Sequence, residues 1–339
     1  MMVYWLFFLF PALFALSGRA RSANLISMHQ SIRIGTLWWI FIIALTILIG
    51  LRHEVGGDWE SYIRIFSGSD SISSIGEISL ARDPGYQLLN IISANLGLGV
   101  YGVNVICAFI FSFGLALFCR SLPRPMLALA VSIPYLVIVV SMGYSRQAVA
   151  LGLVMIGLVL LGRNKKLSFV VMVIIAMTLH KSAILMLPIA ALSSTKNKFL
   201  VFLLMGVIFF LAFALFLADS VATLYTNYTN TDDIASQSSG AFIRLAMNIV
   251  PSIIFLTFFK YFNLSATEKP LWRWFSFISI VLMALYFIIP VSSAIDRVAL
   301  YMIPLQMVVF SYLPDIFGKK NARHRWIMIL IILYYASVL

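Results

Sequence analysis

Residues 98–118 read LGVYGVNVICAFIFSFGLALF, an apolar run without a charged side chain. An α-helix rises about 1.5 Å per residue, so about 20 such residues cross the roughly 30 Å hydrocarbon layer of a bilayer. The whole chain is 62% hydrophobic and only 11% charged, whereas soluble domains carry about 25% charged residues. The sequence therefore predicts an all-α, polytopic integral membrane protein and excludes a soluble one.

Apolar runs elsewhere in the chain predict the remaining helices. Residues 167–195 are too long for one span and are interrupted by His180 and Lys181, so we predict two short helices that meet at this pair. The total is about 10–12 transmembrane or half-membrane helices in a single transmembrane domain, residues 1–339. The other predicted spans lie near residues 1–17, 34–51, 98–118, 126–142, 145–161, 199–218, 242–262, 272–290, 298–316 and 326–339.

The first run, residues 1–17, has no basic residue before it and no small-residue cleavage site, which argues against a removable signal peptide. We predict that it is the first membrane helix. Cys107 and Cys119 lie about 18 Å apart on one predicted helix, too far for a disulfide. No Cys and His cluster has metal-ligand spacing, so we expect no metal and no cofactor.

The net charge of +12 reflects membrane topology. Cytoplasmic connections of membrane proteins are enriched in Lys and Arg, and alternation from the first connection places 17 of the 24 basic residues on that side. Those connections include Arg120 and Arg124, and the basic segment 319–325. We therefore expect no nucleic-acid partner and a multi-pass membrane protein.

Two large loops, residues 52–97 and 219–241, then face outward, after the second helix and before the 242–262 helix. The second loop is polar and rich in turn-forming residues. It suits either a lid or sugar-facing surface, or an ordinary solvated loop.

Seven basic residues break the charge rule because they fall on the outer side. Charged groups at the edge of a membrane protein commonly pair with one another or bind a ligand. Arginine binds phosphate oxygens through two parallel hydrogen bonds, so a convergent set suits a diphosphate. The alternative for each is a structural ion pair or contact with lipid head groups. The seven residues are Arg52, Arg64, Arg82, Arg146, Lys181, Arg244 and Arg297.

We favour the structural alternative for Arg64 and Arg82, and ligand binding for Arg146 and Arg297. Arg146 also lies near a predicted helix N-terminus, which favours an anion. Arg244 and Arg52 complete the candidate diphosphate set, and Asp296 is expected to orient Arg297.

Three residues are candidates for a general base. His180 has an imidazole that titrates near neutral pH and can accept a proton from a sugar hydroxyl; its alternative role is a hydrogen-bonding helix cap. Asp58 and Glu54 are the carboxylate candidates, and their alternative role is charge balance for Arg52.

Five short motifs occur in a fixed order along the chain. The first joins Arg52 to Gly56-Gly57-Asp58-Trp59 and Tyr62 to Phe66, and the second is Asp83-Pro84-Gly85-Tyr86 with Leu88-Leu89. Ser145-Arg146-Gln147, His180-Lys181-Ser182, and Asp296-Arg297 with Tyr301 follow. This pattern resembles the EpsG-like family of bacterial polysaccharide polymerases, which is related in role to Wzy O-antigen polymerases. The resemblance covers nearly the whole chain.

The resemblance implies a multi-pass glycosyltransferase of the bacterial inner membrane that uses no nucleotide sugar. It would transfer a growing glycan from undecaprenyl diphosphate onto a new lipid-linked oligosaccharide repeat unit of an O-antigen, capsule or exopolysaccharide. Arg146, Arg244 and Arg297 would stabilise the departing diphosphate without a metal, and Trp59, Tyr62 and Tyr86 would stack on sugar rings. Its partners would be the undecaprenyl-diphosphate-linked oligosaccharide, membrane lipids, and a chain-length regulator and flippase of the same pathway.

Two other functions fit a membrane protein of this kind. A flippase or transporter of the lipid-linked oligosaccharide needs charges along a path between both faces, but the predicted spans hold almost none. A membrane acyltransferase needs a cytoplasmic donor site, but His29 and His324 lie among ordinary basic residues. Both are kept as alternatives.

Overall fold

A computed structural model describes residues 1–17, 34–69, 78, 83–192, 203, 240–288, 292–318 and 321–339. Every regular element in these ranges is helical, which confirms the all-α, polytopic class. The predicted span 199–218, nearly all of the loop 219–241, and Arg82 lie outside the described residues.

Most helices follow the apolar runs, and two further helices lie within residues 52–97, which the sequence analysis predicted as a large loop. The helices are α1 Met2–Ser17, α2 Thr36–Gly50, α3 Trp59–Ser69, α4 Pro84–Asn95, α5 Gly99–Arg120, α6 Pro125–Ser132, α7 Ser145–Gly162, α8 Lys166–Leu179, α9 Leu187–Leu192, α10 Ala241–Phe258, α11 Glu268–Ile288, α12 Ser292–Leu300, α13 Pro304–Phe317 and α14 Asn321–Val338. Among the described residues, five apolar stretches are long enough to cross a membrane: Gly99–Arg120, Ser145–Gly162, Ala241–Tyr261, Glu268–Ile288 and Ile295–Phe317.

Three predicted spans contain irregular turns. α6 continues as a π-helix, Ile133–Ser141, whose second residue is Pro134; proline lacks the N–H of a regular helical turn and its ring crowds the preceding turn. Pro304 follows a turn at residues 301–303 that divides the predicted 298–316 span into α12 and α13. The predicted break at His180 is present, but a 3₁₀-helix, Lys181–Met186, precedes the short α9.

The chain divides into two compact units. The first comprises Met1–Ala183 and Met307–Leu339, and the second comprises Ile184–Gln306. In the first unit, α5 packs against α2 and α7, and α7 packs against α8. In the second unit, α10 packs against α11 and α12.

Glycines allow the central helices of the first unit to approach closely. A Cβ atom on Gly152 of α7 would lie 2.6 Å from the Phe111 Cα of α5, and one on Gly114 would overlap the Gly152 carbonyl. Gly50 of α2 would meet the Val105 Cα of α5 at 2.7 Å. Small residues of this kind are how membrane helices pack, because van der Waals contact replaces the hydrophobic effect there. This packing fixes where the outer ends of α2, α5 and α7 lie.

Candidate functional site

Asp83 joins three segments of the first unit. One carboxylate oxygen lies 3.0 Å from Nη1 of Arg146 and 3.8 Å from Nδ1 of His180. The other accepts a hydrogen bond of 3.1 Å from the backbone N–H of Lys181. We call Asp83, Arg146, His180 and Lys181 the Asp83 cluster.

Local sequence explains how these groups meet. Asp83 has a left-handed backbone, φ 32°, which Asp tolerates better than most residues, and Pro84 then begins α4. α4 lies close to α8, because a Cβ on Gly85 would overlap the Thr178 hydroxyl. α8 ends at Leu179, so His180 and Lys181 lie beside Asp83.

All parts of the cluster belong to one predicted side of the membrane. Arg146 is the second residue of α7, which the charge pattern predicts to begin on the outer side. His180 caps the C-terminal end of α8, which that pattern predicts to end on the same side. The Asp83 cluster is therefore assembled at the helix ends where the sequence predicted a site.

The Asp83 carboxyl is ionised at neutral pH although it is largely buried, with 8% of the residue exposed. Burial by itself would raise the pKa of Asp83. The proximity of His180 and Arg146 and the hydrogen bond from the Lys181 N–H together outweigh burial and lower that pKa. The cluster thus holds a fixed negative charge beside a partly exposed arginine.

Tyr62 and Tyr86 support Arg146 in this structure. The Arg146 guanidinium carbon lies 5.8 Å from the centroid of each ring, within the range of a cation–π interaction. Both tyrosines are 2% exposed. Their rings were predicted to bind sugar, but they are buried against the arginine and each other, so a sugar cannot stack on them in this conformation.

Arg52 is a buried cation held by neutral groups. It donates to the Ile49 carbonyl at 2.8 Å, to the Asn104 side-chain oxygen at 3.5 Å and to the Ser145 hydroxyl. Within the described ranges, no carboxylate lies at ion-pair distance from it. Its guanidinium also lies 6.0 Å from the Trp59 ring. Arg52 therefore links the loop after α2 to the residue that precedes Arg146.

The two carboxylate candidates lie in that loop. Glu54 is exposed, with 77% of its side chain accessible, and is 3.7 Å from the His53 ring. Asp58 is half-buried immediately before α3. Of the three candidate bases, His180 is the one found in contact with Asp83.

Asp83 and Asn104 were not among the predicted site residues. Asp83 stood in a motif that was interpreted as a turn, and its ion pair with Arg146 spans 63 positions of sequence. Asn104 carries the one amide side chain within the apolar run 98–118, and that group was the available signal.

The second unit contains the remaining predicted arginines. Arg244 Nε lies 2.5 Å from Asp296 Oδ1, and the two side chains are 2% and 6% exposed. Asp296 thus contacts Arg244, although it was expected to orient its neighbour Arg297. Arg297 is exposed in α12. Nearby, Asn248 donates to the Ala299 carbonyl at 2.9 Å and accepts from Gln306 at 2.7 Å.

Comparison with known proteins decides the family. The EpsG family model matches residues 35–339, nearly the whole chain. The chain belongs to the EpsG family. EpsG proteins are polysaccharide polymerases, so the resemblance predicted from the five motifs is confirmed. No curated protein and no solved structure matches this EpsG chain.

A second charged group of the EpsG chain lies at the opposite helix ends of the first unit. Arg124 donates to Asp315 at 2.6 Å and lies 3.0 Å from Nδ1 of His324. The sequence predicted that the connections around Arg124 and His324 share the cytoplasmic side. Their contact is consistent with that shared side.

Gly56 gives a test of the loop that carries Glu54 and Asp58. Its φ is +100°, and a Cβ there would overlap the Met142 carbonyl and lie 2.9 Å from the Gly143 Cα, just before Arg146. Gly56→Ala in the EpsG chain is therefore expected to displace this contact and lower polymer formation about tenfold or more, since a left-handed residue with a side chain costs about 1–2 kcal/mol even without overlap.

Gly57→Ala is the matched control, because nothing lies within 4 Å of its Cβ position and its φ is not left-handed. Polymer yield per unit of membrane-inserted protein checks both variants. Equal yields from the two variants would show that the contact of Gly56 with residues 142–143 is not needed for polymer formation.

Proposed function

We propose that this EpsG chain transfers a growing glycan from undecaprenyl diphosphate onto the non-reducing sugar of a new undecaprenyl-diphosphate-linked repeat unit. The reaction takes place at the outer face of the bacterial inner membrane and extends an O-antigen, capsule or exopolysaccharide. The observation that carries this proposal is the Asp83 cluster, which holds a partly exposed arginine at the predicted outer helix ends.

Charge favours an anionic leaving group at this site. Arg146, Lys181 and the nearby Arg52 carry three positive charges, against one from Asp83. The Arg146 side chain is 32% exposed and uses Nη1 for Asp83, while a guanidinium has five N–H donors. A preorganised donor of this kind stabilises charge that develops in the transition state, because it needs no reorganisation during the reaction.

The bond changes follow from this placement. The bond between the sugar anomeric carbon and the diphosphate oxygen breaks, and its electron pair leaves with undecaprenyl diphosphate near Arg146. A hydroxyl of the acceptor sugar forms the new bond to the anomeric carbon and loses its proton to a base. The lipid-linked glycan is itself the activated donor, with undecaprenyl diphosphate as its leaving group, so the reaction requires no nucleotide sugar.

We assign the base to His180. Its Nδ1 lies 3.8 Å from Asp83, so a small movement forms the carboxylate–imidazole pair that fixes the ring and stabilises its protonated form. Glu54 and Asp58 remain predictions as bases, and their positions in the loop after α2 suit contact with sugar hydroxyls better. Arg244 and Arg297 remain predicted diphosphate ligands, although the buried pair of Arg244 with Asp296 favours a packing role for Arg244.

His180→Ala is expected to lower the polymerisation rate about 10²–10⁴-fold, the usual contribution of a general base. Added imidazole should restore part of the rate to this variant and none to Arg146→Ala, because imidazole can accept a proton but cannot bind the diphosphate as arginine does. The rate of chain extension by purified protein checks this. A rate near wild type would remove His180 from the reaction.

Reconstitution tests the proposed function directly. Purified protein in liposomes receives lipid-linked repeat units extracted from source cells blocked in polymerisation, and no nucleotide sugar. We expect a ladder of longer glycans and one undecaprenyl diphosphate released per new linkage. Units that cross the bilayer without growing longer would instead identify a flippase. If wild-type protein neither extended the units nor moved them across the bilayer, both functions would be rejected.

A further inference from the structure

A group of three rings, two of them exposed, lies in the first unit next to Arg52. His53 and Tyr101 are stacked, with ring centroids 6.3 Å apart and planes inclined by 29°, and His53 Nδ1 lies 2.6 Å from the Tyr101 hydroxyl. Trp59 lies edge-on to His53 at 5.8 Å and 6.0 Å from Tyr101. We call these three residues the outer aromatic platform.

The platform is open on one side and supported on the other. The His53 side chain is 67% exposed and Tyr101 is 37% exposed, whereas Trp59 is 6% exposed and forms the base. Aromatic residues at a membrane surface often serve only as interfacial anchors. An anchor does not need a ring held by a hydrogen bond to a histidine from another segment, and this arrangement fixes Tyr101 in one orientation.

Three carboxylate residues are sequence neighbours of platform residues. Glu54 follows His53 directly and is exposed, Asp58 is half-buried next to Trp59, and Glu60 is exposed in the first turn of α3. Carboxylate oxygens accept hydrogen bonds from hydroxyl groups. Aromatic faces carry partial negative charge and attract the weakly positive C–H bonds of a sugar ring. Rings with adjoining hydroxyl acceptors therefore suit carbohydrate.

The platform is connected to the Asp83 cluster by direct contacts. Trp59 lies under the Arg52 guanidinium, Arg52 donates to the Ser145 hydroxyl, and Ser145 precedes Arg146. A ligand on the rings would thus lie on the same predicted outer side as the candidate diphosphate site.

We propose that the outer aromatic platform is a binding subsite for the oligosaccharide of the lipid-linked substrate, with Tyr101 and His53 as the stacking surface. The inference rests on the proposed polymerase function for the identity of its sugar. In this proposal the exposed residues Tyr101 and His53, which the sequence analysis did not assign, take the sugar-stacking role predicted for the buried Tyr62 and Tyr86. The three carboxylates favour neutral or amino sugars over uronic acids, which they repel.

The test uses Tyr101→Ala and a matched control, Phe109→Ala, which removes another exposed ring from the same helix, 43% exposed and stacked on Phe113. The probe is the repeat-unit oligosaccharide released from its lipid by mild acid. We expect Tyr101→Ala to weaken its binding to the detergent-purified protein about tenfold, and Tyr101→Trp to restore it. The half-saturating concentration of lipid-linked unit should rise more than the saturated rate falls.

The outcomes separate this inference from the polymerase function. Wild-type protein that polymerises while Tyr101→Ala binds the oligosaccharide as tightly as Phe109→Ala overturns the platform and leaves the polymerase intact. Wild-type protein that binds the oligosaccharide through Tyr101 but does not extend it overturns the polymerase and leaves a sugar-binding site. Loss of binding in Phe109→Ala as well would show a general effect of ring removal and overturn the assignment to Tyr101.

Discussion

Cells that carry Arg146→Ala are expected to lose long surface polysaccharide, with polymer formation lowered at least about 100-fold, the effect of removing one donor that stabilises a developing anion. The side chain provides the partly exposed guanidinium of the Asp83 cluster, and alanine would leave the departing diphosphate of the proposed reaction without it. Single repeat units should still reach the surface, because their export does not depend on this step.

Arg146→Lys keeps the positive charge but cannot donate two parallel hydrogen bonds to phosphate oxygens as arginine can. We therefore expect it to retain only a small part of the wild-type activity. Arg64→Ala is the control. It removes another arginine of the same predicted side, exposed on α3 and bonded to Ser61 at 3.3 Å, and should leave the chain lengths unchanged.

The measurement is the length distribution of surface polysaccharide on gels, with the membrane level of each variant determined in parallel. Long chains in Arg146→Ala cells would remove Arg146 from the site. Accumulation of single units inside the cell would instead favour export as the function.

Gly152→Ala is expected to have the largest effect on stability. Its Cβ would lie 2.6 Å from the Phe111 Cα, and backbone atoms cannot rotate away as a side chain can. Overpacking costs about 1–3 kcal/mol, more than the roughly 1 kcal/mol that alanine gains over glycine in a helix. The detergent-purified protein should unfold about 5 °C lower, and its membrane level should fall.

Gly157→Ala on the same helix is the control, because its nearest contact would be a ring carbon of Phe169 at 3.1 Å, which can shift. We expect little or no decrease in its unfolding temperature. If Gly152→Ala were as stable as Gly157→Ala, the close approach of α5 and α7 would not be a determinant of the fold.

Helix positions could be predicted from this sequence because hydrocarbon thickness sets the length of an apolar run. Basic residues, and the polar pair of His180 and Lys181, mark the ends of several helices. The turn at residues 301–303 was missed because Tyr301 and its neighbours are apolar, so composition does not show where the helix is interrupted. Pro304 was the available signal.

The candidate site was predicted in part. Arg146 and His180 stood out as charged or titratable groups near predicted helix ends, but their shared carboxylate did not, since Asp83 reaches them only through the packing of α4 against α8. Burial likewise depends on neighbours distant in sequence. For that reason the sequence did not show that Tyr62 and Tyr86 are buried and that Tyr101 is exposed.

The pair of Asp83 and Arg146 also has a consequence for the anion selectivity of the proposed diphosphate site. An incoming anion must compete with a carboxylate already 3.0 Å from the guanidinium. Inorganic phosphate, which offers one centre of charge and no lipid tail, gains little from that exchange. A diphosphate on a polyprenyl chain brings two charged groups and is concentrated in the bilayer beside the site. Under the proposed function, the resting ion pair would therefore act as a competitor that free phosphate displaces poorly, and the arginine would stay available to the lipid-linked substrate.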